Sequence, residues 1–454
     1  MLETHTRAVG EVTVPGHPWF GEHQLPAAAP PDTIREMLRS EVRDIGYPYQ
    51  PLLPAAPITL PRASYAELFR ASAALLDLVR RAALETAATT SGRLAAYGMP
   101  DSENQLFVAD RFIEERYADC VARPDVVIGP DGPKFLEFNV SGALGGPVEA
   151  HCRLEVWRRL YASDSGRLPF DYRSPLAARV EMFRSLCAEL AVAPRVALLG
   201  SARDQGGATR FFDIEIDYFN NHGMTARFFE PEDLHEAWDC PPNLRYPLGL
   251  RNFTIPDWLE LGIDTAPVQA ALDNGCLLVG TQTSTFLSSK LTMGLLSEGR
   301  PWMSAAERAV VERYLPWTRI LSDRRTTRGD KDVDLVQFVI DNRELLVLKE
   351  SLGMSGKEVT LGREATQREW ESAVTTAAPN TSIVQDYIDP HTCRLPILAD
   401  TDDEPRNVDI APVLGPVLLG GRPAGVFTRF FGDGRAGIVS VLGRGSSDNC
   451  AVAV

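Results

Sequence analysis

The sequence predicts an α+β fold with an additional α/β lobe and a helical N-terminal region. Three observations predict it. Apolar residues recur at helical spacing from about Tyr65 to Ala96. Two β-type runs flank the turn sequence GPDGP at 129–133. A strand–helix–strand succession follows Pro194, read from RVALLG, TRFFDIEIDYFNNHG and TARFFEP.

The chain has 454 residues, 44% of them hydrophobic, which is enough for a large core and too long for one ordinary domain. Four segments follow from the pattern. Residues 1–110 form an arm and a helical region. The arm is rich in Pro and Ala to about residue 60, with a short helical stretch near Asp32–Glu41. Residues 111–190 hold the GPDGP hairpin and a helix through VEAHCRLEVWRRL. Residues 191–280 form the α/β lobe. Residues 281–454 mix strands (ELLVLKES, TSIVQDYI, GVFTRFF, GIVSVLG) with the helix REATQREWESAVTTAA.

Charge and cysteine usage exclude several function classes. The formal charge is −15 with no offsetting Lys/Arg block, which argues against a nucleic-acid partner. An anionic ligand then needs local cations or a metal. The seven cysteines are scattered singly, with no C-x-x-C pair and no zinc spacing, and read as buried free thiols. The opening residues lack a signal-peptide layout. No apolar run reaches the ~18–20 residues that span a bilayer. A cytoplasmic protein without membrane contact is expected.

The hairpin RPDVVIGPDGPKFLEFNV carries the first chemistry. Residues two apart on a strand share a face. Symmetry about Asp131 sets Asp125 opposite Glu137 and Arg123 opposite Asn139. Two opposed carboxylates repel unless a cation lies between them. Two carboxylates and an amide oxygen suit Mg²⁺, and the planar fork of Arg123 suits a phosphoryl oxygen. A solvated hairpin face with Arg123 paired to a carboxylate is the plainer alternative, and a slip of one residue would remove the arrangement.

Two further stretches add cations. In ELLVLKESLGMSGKEVTLG, Lys349 ends an apolar strand, and a loop with Gly353, Ser355 and Gly356 follows. Backbone N–H groups of such a loop can cover phosphates, and the lysine can reach them. It is not a Walker A sequence, and glycine-tipped hairpins are common. FLSSKLTMGLL places Lys290 near a helix start, where a cation opposes the helix dipole unless an anion is bound. SIVQDYIDP offers Gln385 and Tyr387 to an adenine.

Together and in this order, the pieces resemble the circularly permuted ATP-grasp family, in particular the glutathionylspermidine synthetase-like amide ligases. RPDVVIGPDGPKFLEFNVSGALGG resembles the family's R-x-D … E-x-N element, placed early as in the permuted form. FLSSKLTMGLL resembles its N-K helix start, with Ser289 in place of Asn. VLKESLGMSGKEVTLG resembles its lysine and glycine loop. IVQDYIDP, GGRPAGVFTRFF and SVLGRGSS resemble its closing strands. The likeness covers roughly residues 110–454, and Pro124 between Arg123 and Asp125 departs from it slightly.

The resemblance implies a carboxylate–amine ligase that forms an amide or peptide bond through an acyl phosphate. Asp125, Glu137 and Asn139 would ligate Mg²⁺. Lys290, Lys349, Gly353, Ser355, Gly356, Gln385 and Tyr387 would hold ATP. Arg123 would contact the transferred phosphoryl group, and Arg429 the acyl phosphate. The partners implied are a small-molecule or peptide carboxylate and an amine, in a possible homodimer. A small-molecule kinase on the same fold is the alternative reading. RVALLGSARDQGG lacks G-x-G-x-x-G and reads as a structural strand and loop. His151 and His222 read as structural. Asp386 and Asp389 are near the right strand for a base, and Arg394, Arg422 and Arg444 could grip a substrate carboxylate; each also fits a plain surface or structural role.

Overall fold

The computed structural model describes residues 19–20, 25, 28–45, 50, 52–99, 106–203, 210–352, 359–377, 379–435, 437 and 445–454. Its centre is a six-stranded sheet. The order across it is Ile58–Leu60, Ser447–Ala453, Arg422–Phe430, Val413–Leu419, Val121–Gly129 and Gly132–Val140. Neighbours run antiparallel except the pair Ile58–Leu60 and Ser447–Ala453. The sheet therefore takes strands from the first, second and last of the four sequence segments.

The long apolar stretch forms a helix at Arg62–Glu85 and a shorter one at Thr90–Ala96. Leu68, Leu75, Leu76, Val79, Ala82 and Ala83 recur three, four or seven residues apart and are buried against one face of the sheet, beside Val126, Leu414, Leu418 and Phe430. Helices Pro147–Tyr161 and Pro175–Leu190 pack against the opposite face at the strand Arg422–Phe430.

The α/β lobe is a parallel sheet in the order Thr225–Phe229, Arg195–Leu199, Leu248–Arg251, Leu277–Val279. Close backbone approach fixes it to the hairpin. A Cβ on Gly142 would lie 2.8 Å from the Val279 carbonyl oxygen and 2.9 Å from that of Arg251. The turn after the hairpin thus seats on the ends of two lobe strands only because it carries no side chain.

An antiparallel sheet orders Val359–Leu361, Leu346–Glu350, Ser382–Asp386 and Thr318–Ile320. Two smaller sheets, Leu52–Pro54 with Cys393–Ala399 and Arg406–Ile410, and Arg325–Arg328 with Lys331–Asp334, complete the described strands. The run GIVSVLG lies almost wholly outside the described residues. All seven cysteines are free. Among the described residues no helix is long and apolar enough to cross a membrane.

Candidate functional site

The hairpin places Asp125 opposite Glu137 and Arg123 opposite Asn139. Symmetry about Asp131 is not the cause. The tight turn pairs Gly129 with Gly132, and the ladder runs in that register to Val126 and Phe135. A bulge at Leu136 then adds one residue and brings Asp125 level with Glu137. The bulge also turns the Leu136 carbonyl to Lys349, whose Nζ donates to it at 3.1 Å.

Pro124 sits inside an interior strand, three residues past its start. A proline there removes a ladder hydrogen bond. The neighbouring strand answers with Pro416. Recorded pairing between the two strands skips from Leu414–Val126 to Leu418–Ala122, and both prolines fall in the gap. Gly415 lies in the same gap. A Cβ on it would come 3.0 Å from Arg123 Cδ, so the missing side chain makes room for the Arg123 stem.

Cations from four elements converge on the two carboxylates. Arg429 Nη2 donates to Asp125 Oδ2 at 2.5 Å. Arg123 Nη2 lies 3.7 Å from Asp125 Oδ1, and its Nη1 donates to the Gly145 carbonyl. Lys290 Nζ lies 3.4 Å from Glu137 Oε2. Lys349 Nζ donates to Gln385 Oε1 at 2.7 Å, and Gln385 Nε2 donates to Thr318 Oγ1 at 3.1 Å. Asn139 Nδ2 is 3.4 Å from both Asp125 Oδ1 and Glu137 Oε1. Nδ2 also donates to the Arg123 carbonyl at 3.2 Å, a bond that turning the amide by 180° to gather three oxygens would give up.

Local structure holds Lys290 in place. Ser288 Oγ accepts from the Val140 N–H at 2.9 Å and donates to the Val140 carbonyl at 2.7 Å, clipping its helix to the hairpin edge. Ser289 caps the helix Lys290–Ser297, and the Lys290 N–H donates to the Ser351 carbonyl at 2.9 Å. The lysine thus joins the hairpin to the end of the Lys349 strand. Ser288, Thr318 and Gly415 carry no sequence signal that would have found them.

The electrostatics follow from burial and crowding. Burial pushes the Glu137 carboxyl up, but Lys290, Lys349 and Arg429 outweigh it and hold it at about 2. Burial pushes the Lys349 ammonium down to about 8, against the pull of Glu137. Lys349 stays mainly cationic at neutral pH. Asp125 and Glu137 therefore lie among four cations, with the buried Glu149 carboxylate acting on Arg123 and Asp448 directly across the strand pair from Arg429, in a chain whose total charge is −15. Among the described residues no three His, Cys, Asp or Glu side chains gather as a metal cluster; the donor set here is two carboxylates and an amide.

Tyr387 has the Arg363 guanidinium 3.6 Å from its ring centre. The remaining sequence candidates fall elsewhere. Gly353, Ser355 and Gly356 lie outside the described residues, as does Arg444. Asp386 pairs with Arg328 at 2.8 Å and Asp389 with Arg363 at 2.7 Å. Arg394 pairs with Asp409 on an exposed surface, and Arg422 is exposed.

The sequence matches no protein-family model and no curated protein. Among solved structures, a glutathione synthetase-like effector from Globodera pallida, in its apo form, superposes with a TM-score of 0.57. The match is 13% identical and covers 95% of this chain and 100% of that one. The chain has a glutathione synthetase-like fold. A putative gamma-glutamylcysteine synthetase from Methylobacillus flagellatus KT also matches, at TM-score 0.40 and 12% identity, over 84% of this chain and 88% of that one. Within this fold the charged cluster lies where the six-stranded sheet meets the sheet that carries Lys349 and Gln385.

Proposed function

We propose that this chain is an ATP-dependent carboxylate–amine ligase of circularly permuted ATP-grasp architecture. It forms an amide or peptide bond through an acyl phosphate and releases ADP and phosphate. The observation that carries the reading is the cluster itself, with Arg123, Arg429, Lys290 and Lys349 gathered on the opposed pair Asp125 and Glu137. The convergence of cations suits a polyphosphate, and the oxygen donors suit a divalent metal.

Asp125, Glu137 and Asn139 would hold Mg²⁺, whose chemistry is to neutralise and bridge phosphate oxygens. Lys290 and Lys349 hold the phosphates, and Gln385 and Tyr387 bind the rest of the nucleotide. A substrate carboxylate oxygen attacks the γ-phosphorus, the bond to ADP breaks, and Arg123 and Arg429 carry the charge on the transferred group. An unprotonated amine then attacks the acyl carbon, and phosphate leaves with the electron pair of the broken C–O bond and takes up the proton that the amine gives up.

The test is ADP and phosphate release from Mg·ATP against a pooled panel of carboxylates and amines, with mass spectrometry of products and Glu137→Ala as control. Amine-dependent release of both, with a product one water lighter than its parts, is expected. A stable phosphorylated product without amine dependence would replace the ligase reading with that of a kinase.

A further inference from the structure

The charged row on the hairpin face continues beyond Arg429. Asp448 is its direct cross-strand partner in the pair Arg422–Phe430 and Ser447–Ala453. Directly opposite residues project from the same face of a sheet. Asp448 and Arg153 are both fully buried. Arg153, on helix Pro147–Tyr161, donates from Nε and Nη2 to Asp448 Oδ1 at 3.0 and 2.6 Å. Its Nη1 lies 2.6 Å from Glu41 Oε2, and its Nη2 donates to Gln50 Oε1 at 3.2 Å.

Asp448 Oδ2 is the unexplained atom. It is buried and accepts no hydrogen bond among the described residues. An unpaired buried carboxylate oxygen is costly, and burial of such ionic groups rarely adds stability over a well-packed apolar set. Its position beside Arg429 gives it a task.

We propose that Asp448 is a positioning residue for Arg429, and that the helix Pro31–Asp44 takes part in the active site through Glu41 and Arg153. The inference rests on the ligase reading for what Arg429 does. Arg153 fixes Oδ1 and leaves Oδ2 as a negative charge on Arg429's side of the sheet. When Asp125 is engaged with a metal ion, that charge keeps the Arg429 guanidinium in line with the hairpin. Helix Pro31–Asp44 is anchored for this purpose. Ile34 and Leu38 pack in one cluster with Leu154 and Trp157, and the Arg35 Nη2 donates to the Ala399 carbonyl at 3.3 Å. Withdrawing Glu41 would leave Arg153 one carboxylate short and loosen its grip on Asp448.

A double-mutant cycle on Glu41→Gln and Arg429→Gln in the full chain tests this, read by the calorimetric Kd for Mg·ATP and by the urea unfolding midpoint. In the proposal Glu41 reaches Arg429 only through Arg153 and Asp448, so a merely structural Glu41 gives additive effects. The expected result is coupling: Glu41→Gln weakens Mg·ATP about fivefold in the natural chain and less than about twofold beside Arg429→Gln. Additive effects overturn the proposal. If Glu41→Gln does not fold, Gln50→Ala replaces it with the same outcomes. If the natural chain binds no Mg·ATP, the ligase reading fails, and the unfolding cycle alone decides: coupled midpoints support positioning by Asp448, and additive midpoints end it.

Discussion

Two buried arginine–carboxylate groups in this molecule look alike by composition and differ in arrangement. Arg179 and Glu215 meet between helix Pro175–Leu190 and the α/β-lobe helix Arg210–Asn221, one cation to one anion, both almost wholly buried. The hairpin cluster sets four cations on two carboxylates and lies between two sheets. The first is closed and balanced, so it holds helices together. The second gathers charged groups from four elements, and it holds a carboxyl pulled down to about 2 and an ammonium pushed down to about 8. Burial and pairing alone do not mark a site; several strongly shifted groups crowded together do.

The largest test of that contrast is Glu137→Ala. On the proposed ligase reading, losing this carboxylate should cut ATP turnover by ~10³-fold or more, from the several kcal/mol that such electrostatic stabilisation supplies. Steady-state phosphate release measures it. Undiminished turnover would reduce the cluster to a structural group.

Arg179→Ala should behave in the opposite way. It strands Glu215 in the lobe core and should cost about 4 kcal/mol of stability, read from urea unfolding, with Mg·ATP affinity unchanged. Replacing the pair by Met and Leu should restore most of the loss. A fall in nucleotide affinity at full stability would break the distinction between the two groups.

A sealed group should also show itself in stability against pH. Burial pushes His151 down to about 4 from its ordinary 6.5. It is neutral in the folded chain while the unfolded chain takes up a proton. Its contribution is therefore intact above about pH 6.5 and is lost as pH falls towards 4, up to about 3 kcal/mol. Unfolding midpoints across that window should slope, and His151→Gln should flatten them. An unchanged slope would assign the effect to other groups.

The smallest expected effect is at Gly415. Gly415→Ala would press on the Arg123 stem 3.0 Å away. About 1 kcal/mol of strain is expected, with nucleotide affinity reduced a few-fold. Calorimetry on the folded variant measures it. An unaltered Kd would show that Arg123 has slack.

Much of the fold was legible because local rules are strong here. The spacing from Tyr65 onward gave a helix, and the runs after Pro194 gave a strand, a helix and a parallel strand. GPDGP gave the hairpin. The opposed pair Asp125 and Glu137 was also legible, though by a route that omitted the bulge at Leu136. Period-two alternation shows which residues share a face, but a bulge depends on what the neighbouring strands and Lys349 require.

The sequence by itself determined the helices, the turn, the order of the chemical groups and the surplus of acid over base, because each depends on neighbours within a few residues. Only the tertiary structure decided that Lys290, Lys349 and Arg429 meet the hairpin, that Pro416 stands in the same ladder gap as Pro124, and that Glu41 reaches Arg153. Those meetings join residues far apart in the chain. They are set by which sheets pack together and how closely glycines let backbones approach, and no local pattern encodes them.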